Sequence, residues 1–376
     1  MNQSGSSTTR LAEYISELLP WAHGHQRKAI TTFVQAILDK QTGCQAELAR
    51  GLGNQEAACK RLSRLLHNER LAPQALAKAV LGQALRQLPA RGKVRLAIDW
   101  TSENTQHLLV VSLIVGRRAV PIYWRAYDQS VLKGRTQRYE LAVVRRALEC
   151  LLRVVASPRV SVTADRGFAD VQLFALLDSL QVAFVIRVKG STKVQFQGQW
   201  QKLNRLPFAG NTRRRSLGRL GYCERTPQRW WATMSRARDR NGNWGIWYLV
   251  SNRPHRAQAA TAEYAHRFGC EEGFRDAKWW LGFKEARVKT IQVWSRLFAL
   301  FAMTLLVIVS LGSKLLLDGR AAARALLRRV TSRRCGRCEL SVVSAMLSLL
   351  REDKSLLASL AGHIKLRLEA TLTNVS

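Results

Sequence analysis

Hydrophobic positions recur with two different periods along the chain, and the period changes near Lys93. Between residues 10 and 88 apolar side chains lie three and four positions apart, with few β-branched runs, which predicts helices. From Lys93 onward come the runs KVRLAIDW, HLLVVSLIV and RAVPIYWRAY, which are rich in β-branched and aromatic residues and are separated by short polar stretches. These runs predict three strands of an antiparallel meander.

Further along the chain, predicted strands alternate with predicted helices. A helix near residues 138–155 precedes the strand RVSVTAD, a helix over DVQLFALLDSLQ and the strand VAFVIRVK. Two strands joined through a helix form a right-handed crossover unit. The predicted fold class is therefore α/β, with a mixed sheet flanked by helices.

Within the N-terminal helical region, the segment TGCQAELARGLGNQEAACKRLSRLLHN has the order of a helix-turn-helix unit. One helix follows Thr42, glycines interrupt the pattern, and Asn54 fits the N-cap position of a second helix. The second helix carries a cationic stripe, formed by Lys60, Arg61 and Arg64, which suits DNA binding. A plain helical hairpin would show the same pattern, so both interpretations stay open.

One segment is apolar enough to raise the question of a membrane span. Residues 297–313, LFALFAMTLLVIVSLGS, contain no charge over 17 positions, the lower end of the length of a spanning helix. Thr304 and Ser310 lie inside the segment, Arg296 and Lys314 flank it, and no second span accompanies it. This pattern favours a helix buried on all sides in a core, so no membrane partner is expected.

The charge of the chain indicates a polyanionic partner. The sequence has 60 Lys and Arg against 26 Asp and Glu, a net charge of +34 at pH 7, which favours nucleic acid and leaves anionic membrane as the rival. Residues 187–240 are especially basic, with 14 Lys and Arg against two Asp and Glu. Arg213, Arg214 and Arg215 lie there among aromatic residues, a mixture that suits a phosphate backbone, although a solvated basic loop would look similar.

Cysteine usage fits a reducing compartment. Seven cysteines are scattered along the chain without the spacing of a disulfide framework. Cys335 and Cys338 form one CxxC pair with no second pair at zinc-finger spacing, which favours a basic turn over a zinc site. The beginning MNQSGSSTTR lacks the apolar stretch of a signal peptide, so a cytoplasmic protein is expected.

Two aspartates stand where α/β sheets commonly place chemistry. Asp99 is predicted to end the first strand, and Asp165 ends the strand RVSVTAD. If the two strands are parallel neighbours, their carboxylates converge at one edge of the sheet. An aspartate at a strand end can equally form a turn or cap a helix, and this alternative stays open for each residue.

A third carboxylate lies in the segment EYAHRFGCEEGFRDAK, residues 263–278, which is predicted to be helical. At about 100° per residue, one face of that helix collects a phenol, a carboxylate and several cations. These residues are Tyr264, Arg267, Glu271, Arg275 and Lys278. Three carboxylates without a matching histidine suit divalent ions such as Mg²⁺, and the cations suit phosphate oxygens.

The same segment matches, without a gap, a signature of Tyr, two residues, Arg, three residues, Glu, six residues and Lys. With AIDWT around Asp99 and TADRGF around Asp165, the chain resembles the DDE transposases of bacterial insertion sequences over roughly residues 93–312. The resemblance implies a ribonuclease-H-like core in which Asp99, Asp165 and Glu271 bind two Mg²⁺ ions, for which Mn²⁺ can substitute. No small-molecule cofactor is expected.

The resemblance also implies partners and an organisation. The protein is expected to excise its element and insert it into target DNA, to act as a homodimer on paired element ends, and to associate with the bacterial nucleoid. A strand-rich insertion would occupy the interval between Asp165 and Glu271. The implied domains are a DNA-binding domain at 1–90, the first part of the core at 91–190, the insertion at 191–250, the second part of the core at 251–320 and a helical region at 321–376.

In such transposases a tryptophan of the insertion stacks on a base that is flipped out of the DNA. Trp247 fits that position better than Trp244, because it lies at a similar distance before the closing strand. Two alternatives to an active transposase stay open. One is a catalytically silent or domesticated relative that only binds DNA, and the other is a non-transposing ribonuclease-H-like nuclease. The intact set of carboxylates favours the active enzyme.

Overall fold

The computed structural model describes residues 3–116, 118–208, 210–238, 244–269, 281–286, 288–317 and 342–368. In this part of the chain the α-helices are α1 (Gln3–Leu18), α2 (Gly24–Lys40), α3 (Gln45–Ala49), α4 (Gln55–His67), α5 (Pro73–Arg86), α6 (Gln129–Leu132), α7 (Thr136–Leu152), α8 (Val171–Ser179), α9 (Ala257–Ala265), α10 (Ile291–Leu317) and α11 (Val342–Glu352). The strands are β1 (Val94–Glu103), β2 (Gln106–Val115), β3 (Arg118–Asp128), β4 (Val160–Ala164), β5 (Ala183–Val188), β6 (Lys193–Phe196), β7 (Gln199–Lys202), β8 (Arg214–Tyr222), β9 (Gln228–Arg238) and β10 (Trp244–Ser251).

The strands form a ten-stranded mixed sheet in the order β3-β2-β1-β4-β5-β10-β9-β8-β6-β7. β2 and β3 pair antiparallel, whereas β4 pairs parallel with both β1 and β5. Helices α7 and α8 supply the crossovers that parallel neighbours require. The predicted α/β class is confirmed, and the mixed sheet flanked by helices is consistent with a ribonuclease-H-like fold.

The chain divides into two compact units. The first unit comprises residues 1–92, 100–133 and 269–376, and the second comprises 93–99 and 134–268. Helix α10 is the core of the first unit, where it packs against α2, α4, α5, α11 and β3. The five domains implied by the family resemblance stay a prediction.

Helix α10 contains the apolar segment that raised the question of a membrane span. Within the described residues it is long and apolar enough to cross a membrane, but 94% of its most apolar window is buried inside the protein. Its hydroxyls find partners at short range, since Thr304 and Ser310 donate to the carbonyls of Leu300 and Leu306. The packing therefore accords with the core-helix interpretation.

The predicted pair of helices after Thr42 is present as α3 and α4. Asn54 caps α4, because its side-chain oxygen accepts from the Ala57 amide at 3.0 Å. Lys60, Arg61 and Arg64 are exposed on α4, and Arg61 donates to the Leu52 carbonyl in the turn before the helix. At the other end of the helix, buried Arg296 of α10 donates to the Leu66 carbonyl. The order of a helix-turn-helix unit is thus present, and its binding to DNA stays a prediction.

The turn between α2 and α3 touches a later segment of the first unit through backbone atoms. Thr42 donates its hydroxyl to Glu285, and a Cβ built on Gly43 would lie 2.3 Å from the Gly282 carbonyl oxygen. Gly282 has a φ of +72°, and its own Cβ would lie 2.5 Å from the Thr42 Cα. Only glycine at both positions lets the two chain segments approach so closely.

Gly43→Ala is therefore expected to lower the free energy of unfolding by about 1–3 kcal/mol, the usual cost of overpacking between groups that cannot move aside. Thermal unfolding followed by circular dichroism measures the change. Gly24→Ala is the matched control in the same unit, because a Cβ on Gly24 meets nothing within 4 Å. Equal melting temperatures for the two variants would contradict the close backbone contact.

Candidate active site

Asp99 and Asp165 lie level with each other on adjacent parallel strands. The register of β1 and β4 pairs Ile98 with Ala164, and each aspartate is the next residue of its strand or strand end. Residues that pair in parallel strands turn their side chains to the same face of the sheet, so both carboxylates lie on one face. The expectation that these two strands are parallel neighbours is confirmed.

The predicted end of the first strand was wrong. β1 continues through Asp99 to Glu103, because it lies between β2 and β4 in the sheet and extends beyond the end of β4. Only the pairing with β4 ends at Ile98. Asp99 therefore stands within a strand, which restricts its backbone more than a loop would.

A third charged residue, Arg187, lies at the same level on the next strand. The register of β4 and β5 pairs Ala164 with Ile186, so Arg187 follows directly. Arg187 is not among the site residues predicted from the sequence. Arg187 is the first charged residue after the strand run VAFVI, as Asp165 is after VSVTA. Only the register shows that the two residues are level.

Helix α9 covers this face of the sheet in the second unit. Tyr264 is fully buried in a cluster with Val185, Leu249 and Ala260. Arg267 follows the helix and donates from Nη1 to Asp99 Oδ2 at 3.4 Å, with its side chain 9% exposed. A cation beside Asp99 lowers the electrostatic cost of bringing two carboxylates to neighbouring strands.

The helix predicted over residues 263–278 is interrupted by a turn near its beginning. α9 ends at Ala265, the Arg267 amide donates to the Tyr264 carbonyl at 2.9 Å in the turn that follows, and helical residues resume at Phe268 and Gly269, after which the segment lies outside the described residues. Tyr264 and Arg267 nevertheless meet, since the guanidinium lies 5.8 Å from the centre of the phenol ring. Both predicted residues therefore lie at the site.

The Tyr264 hydroxyl is positioned as a neutral hydrogen-bonding group. Its oxygen is buried, and among the described residues the Arg267 side chain approaches it without full hydrogen-bond geometry. Burial raises the pKa of the phenol, Asp165 raises it further, and the charges of Arg267 and Arg187 lower it in part. The phenol therefore stays protonated at neutral pH and can donate to an incoming oxygen.

Trp247 belongs to the same cluster. Its ring centre lies 5.2 Å from that of Tyr264 and 5.5 Å from that of Phe268, and the Arg187 guanidinium lies 5.9 Å from it. Trp244, by contrast, is 62% exposed at the beginning of β10, with Arg238 at 4.9 Å. The base-stacking role of Trp247 stays a prediction.

Asp165 also has the local role that the alternative interpretation anticipated. Its Oδ1 accepts from the Gly167 amide at 2.7 Å and caps the short 3₁₀ turn Arg166–Phe168. This bond fixes the orientation of the carboxylate without removing its charge. Capping and metal binding are therefore compatible at this residue.

The remaining members of the predicted stripe, Glu271, Arg275 and Lys278, lie outside the described residues, as do Cys335 and Cys338. Within the described ranges no group of three His, Cys, Asp or Glu is gathered as a metal site. Asp99 and Asp165 still suit a divalent metal, because they are hard oxygen donors placed level on neighbouring strands. The family resemblance assigns the third carboxylate to Glu271.

The basic segment after β5 is built from strands. β6 to β9 follow one another along the chain, and Arg213 and Arg214 are exposed at the beginning of β8. Arg215 lies 6.0 Å from the Phe196 ring centre and Arg236 lies 5.2 Å from that of Phe208. An arginine whose guanidinium lies over an aromatic ring keeps its charge, and the contact holds its aliphatic part in place.

Comparison with known proteins finds a family match over part of the chain. No curated protein matches the sequence. Residues 136–307 match the family model described as the transposase DDE domain. This range contains Asp165, Arg187, Tyr264 and Arg267 and begins after Asp99. By this match, part of the chain is similar to the transposase DDE domain, which supports a relationship to the DDE transposases.

Proposed function

We propose that the protein is an insertion-sequence transposase that cleaves DNA phosphodiester bonds at the ends of its element and joins those ends to target DNA. The observation that supports this most is the level placement of Asp99 and Asp165 on adjacent parallel strands, with Arg267 beside Asp99. The match of residues 136–307 to the transposase DDE domain supports a reaction of the transposase type. Cut-and-paste transposition is the specific form proposed.

Asp99, Asp165 and Glu271 would together hold two Mg²⁺ ions, or Mn²⁺ in their place. Such ions, when bound, favour deprotonation of the attacking oxygen and stabilise the leaving oxygen of a phosphodiester. The two aspartates offer the oxygen donors, and β1 and β4 fix their separation. Glu271 is proposed from the signature alone.

The cations and the phenol are proposed to bind the phosphate that reacts. Arg267 donates to Asp99, and Arg187 lies level with Asp165 on the next strand, so both can donate to non-bridging phosphate oxygens, the guanidinium in bidentate fashion. The Tyr264 hydroxyl would add one uncharged donor. Lys278 and Arg275 are proposed to continue this contact. Holding the phosphate in line with the attacking oxygen is itself a large part of catalysis.

Other basic residues are proposed to bind the DNA away from the reacting bond. Arg213, Arg214 and Arg215 on the strand-rich segment suit a phosphate backbone, as do Lys60, Arg61 and Arg64 on α4. Trp247 is proposed to stack on a flipped base, and exposed Trp244 is the second candidate. The homodimer on paired ends and the nucleoid location also stay proposals.

Purified protein is expected to cleave labelled DNA that carries the ends of its element in Mg²⁺, and to stop when EDTA removes the metal. Binding of the same DNA should weaken steeply between about 50 and 200 mM salt, because Lys and Arg displace counterions. Gel analysis of cleavage and a mobility-shift titration measure the two effects.

The controls of this experiment separate the alternatives. Binding to the ends without cleavage in Mg²⁺ or Mn²⁺ would identify a catalytically silent relative. Equal cleavage of end DNA and of unrelated DNA, without joining to a target, would identify a nuclease. An affinity that does not change with salt would contradict the proposed contacts to the DNA backbone.

A further inference from the structure

Glu263, the residue before Tyr264, is a buried carboxylate with three donors around it. Ser161 donates its hydroxyl to Oε1 at 2.7 Å, Arg95 donates from Nε to Oε2 at 3.2 Å, and the Lys93 ammonium lies 3.1 Å from Oε2. The Glu263 side chain is 8% exposed. We call these four residues the Glu263 cluster.

The cluster joins helix α9 to the two strands that carry the aspartates. Arg95 and Ser161 are register partners on β1 and β4. Arg95 stands four positions before Asp99, and Ser161 stands four positions before Asp165. Alternate side chains of a strand share a face, so the cluster and the two aspartates lie on the same face of the sheet. A strand rises about 3.3 Å per residue, which places the cluster roughly 13 Å from the aspartates along the strands.

Helix α9 is consequently attached to this face at two points. Glu263 contacts the first halves of β1 and β4, and Arg267 contacts Asp99 further along β1. Between them Tyr264 packs on Val185 and Leu249. Apolar packing alone would allow a helix to shift along a sheet, whereas a carboxylate that meets donors on two strands at once permits one position.

The charge of Glu263 is retained despite its burial. Burial raises the pKa of this carboxyl, but the Ser161 hydrogen bond and the charges of Lys93 and Arg95 outweigh it, and the pKa lies below its usual value. A buried ion pair is seldom justified by stability alone, since apolar residues of similar size often serve as well. A role in fixing the position of helix α9 on the sheet would explain why this charged side chain is buried.

We propose that Glu263 is a positioning residue that fixes helix α9 on the sheet and thereby places Tyr264 and Arg267 beside Asp99 and Asp165. Glu263 is not part of the Tyr-Arg-Glu-Lys signature, and it does not touch the reacting atoms. The consequence for cleavage rests on the proposed function. The attachment of the helix itself does not.

Hydrogen exchange tests the attachment without any reference to DNA. Glu263→Gln keeps the acceptor for Ser161 but turns an amide group toward the cationic donors. Amide exchange in residues 257–268 is expected to rise by about tenfold or more, while β1 and β4 exchange as in the wild type. Glu149→Gln is the matched control, because Glu149 forms an exposed ion pair with Arg146 in the same unit. Unchanged protection of residues 257–268 in Glu263→Gln would overturn the proposal.

The cleavage assay tests the consequence at the active site. Glu263→Gln is expected to cleave end DNA at least about tenfold more slowly at saturating protein, because a displacement of about 1 Å can cost 100-fold. Its affinity for end DNA should stay close to that of the wild type. Ser161→Ala removes one donor and keeps every charge, so it should show the same pattern at smaller amplitude, and it remains available if Glu263→Gln does not fold.

A double variant separates positioning from simple stability. Adding Arg95→Met to Glu263→Gln removes one of the two cations that lost their partner and should restore part of the melting temperature, while cleavage stays slow because α9 still lacks its charged attachment to β1. Recovery of cleavage together with stability would show a merely structural role and overturn the proposal. If the wild type itself cleaves no DNA, the proposed function fails, and hydrogen exchange still decides the attachment of the helix.

Discussion

Asp99→Asn and Asp165→Asn proteins are each expected to bind end DNA with nearly wild-type affinity and to cleave it at least about 1,000-fold more slowly, which corresponds to about 4 kcal/mol of transition-state stabilisation. Asparagine keeps the size of the side chain and one oxygen but removes the negative charge that a divalent metal requires. Cleavage of labelled end DNA in Mg²⁺, with a mobility-shift titration of the same sample, measures both quantities.

Asp170→Asn is the matched control for Asp165→Asn. Both aspartates accept backbone amide hydrogen bonds at the beginning of a helical turn, Asp165 from Gly167 and Asp170 from Gln172 and Leu173. Asparagine serves about as well as aspartate at such a cap, so folding should survive in both variants. If the Asp165→Asn protein cleaves at nearly the wild-type rate, as the Asp170→Asn protein is expected to do, Asp165 is a capping residue and not a metal ligand.

The parallel pairing of β1 and β4 is the part of the site that the sequence predicts best. β2, β3, α6 and α7 lie between these two strands along the chain, so the sequence predicts their parallel pairing only as a condition of the α/β arrangement. The apolar runs around Ile98 and Ala164 mark both strands clearly. The level of Asp99 and Asp165 is set by the register of β1 and β4, which only the structure shows, and the sequence selects the two residues through the predicted strand ends and the family resemblance.

Arg187 could not be selected in the same way. From the sequence alone it contributes one of the many charges of residues 187–240, and its strand is identifiable. Its level relative to Asp165 depends on the register of β4 and β5, and a shift by one residue would turn its side chain to the opposite face. Long-range pairing fixes that register, so no local pattern shows it.

Burial is the second property that local patterns leave open. Glu263 and Arg267 look alike in sequence to the charges of any solvated helix, yet both are buried against strands that are remote along the chain. The apolar segment of α10 illustrates the reverse case, because its composition suits lipid and a protein core equally well. In each case the surroundings, which come from distant parts of the chain, determine the role.

Glu271 carries the prediction that depends most on the family resemblance, since it lies outside the described residues. Glu271→Gln is expected to lower the rate of end cleavage by at least about 1,000-fold while folding and end binding are retained, because glutamine keeps the helix propensity and loses the charge. Strand cleavage in Mg²⁺ and a mobility-shift titration measure the two effects on one sample.

Glu272→Gln is the natural control, because the neighbouring residue undergoes the same chemical change about 100° around a helix. If Glu271 only balanced nearby cations on a helix surface, the pair would contribute at most about 1 kcal/mol and both variants would cleave at similar rates. If Glu271 completes the metal site with Asp99 and Asp165, only Glu271→Gln loses cleavage. A Glu271→Gln protein that cleaves as fast as the Glu272→Gln protein would therefore remove Glu271 from the proposed site and leave the two aspartates in need of another partner.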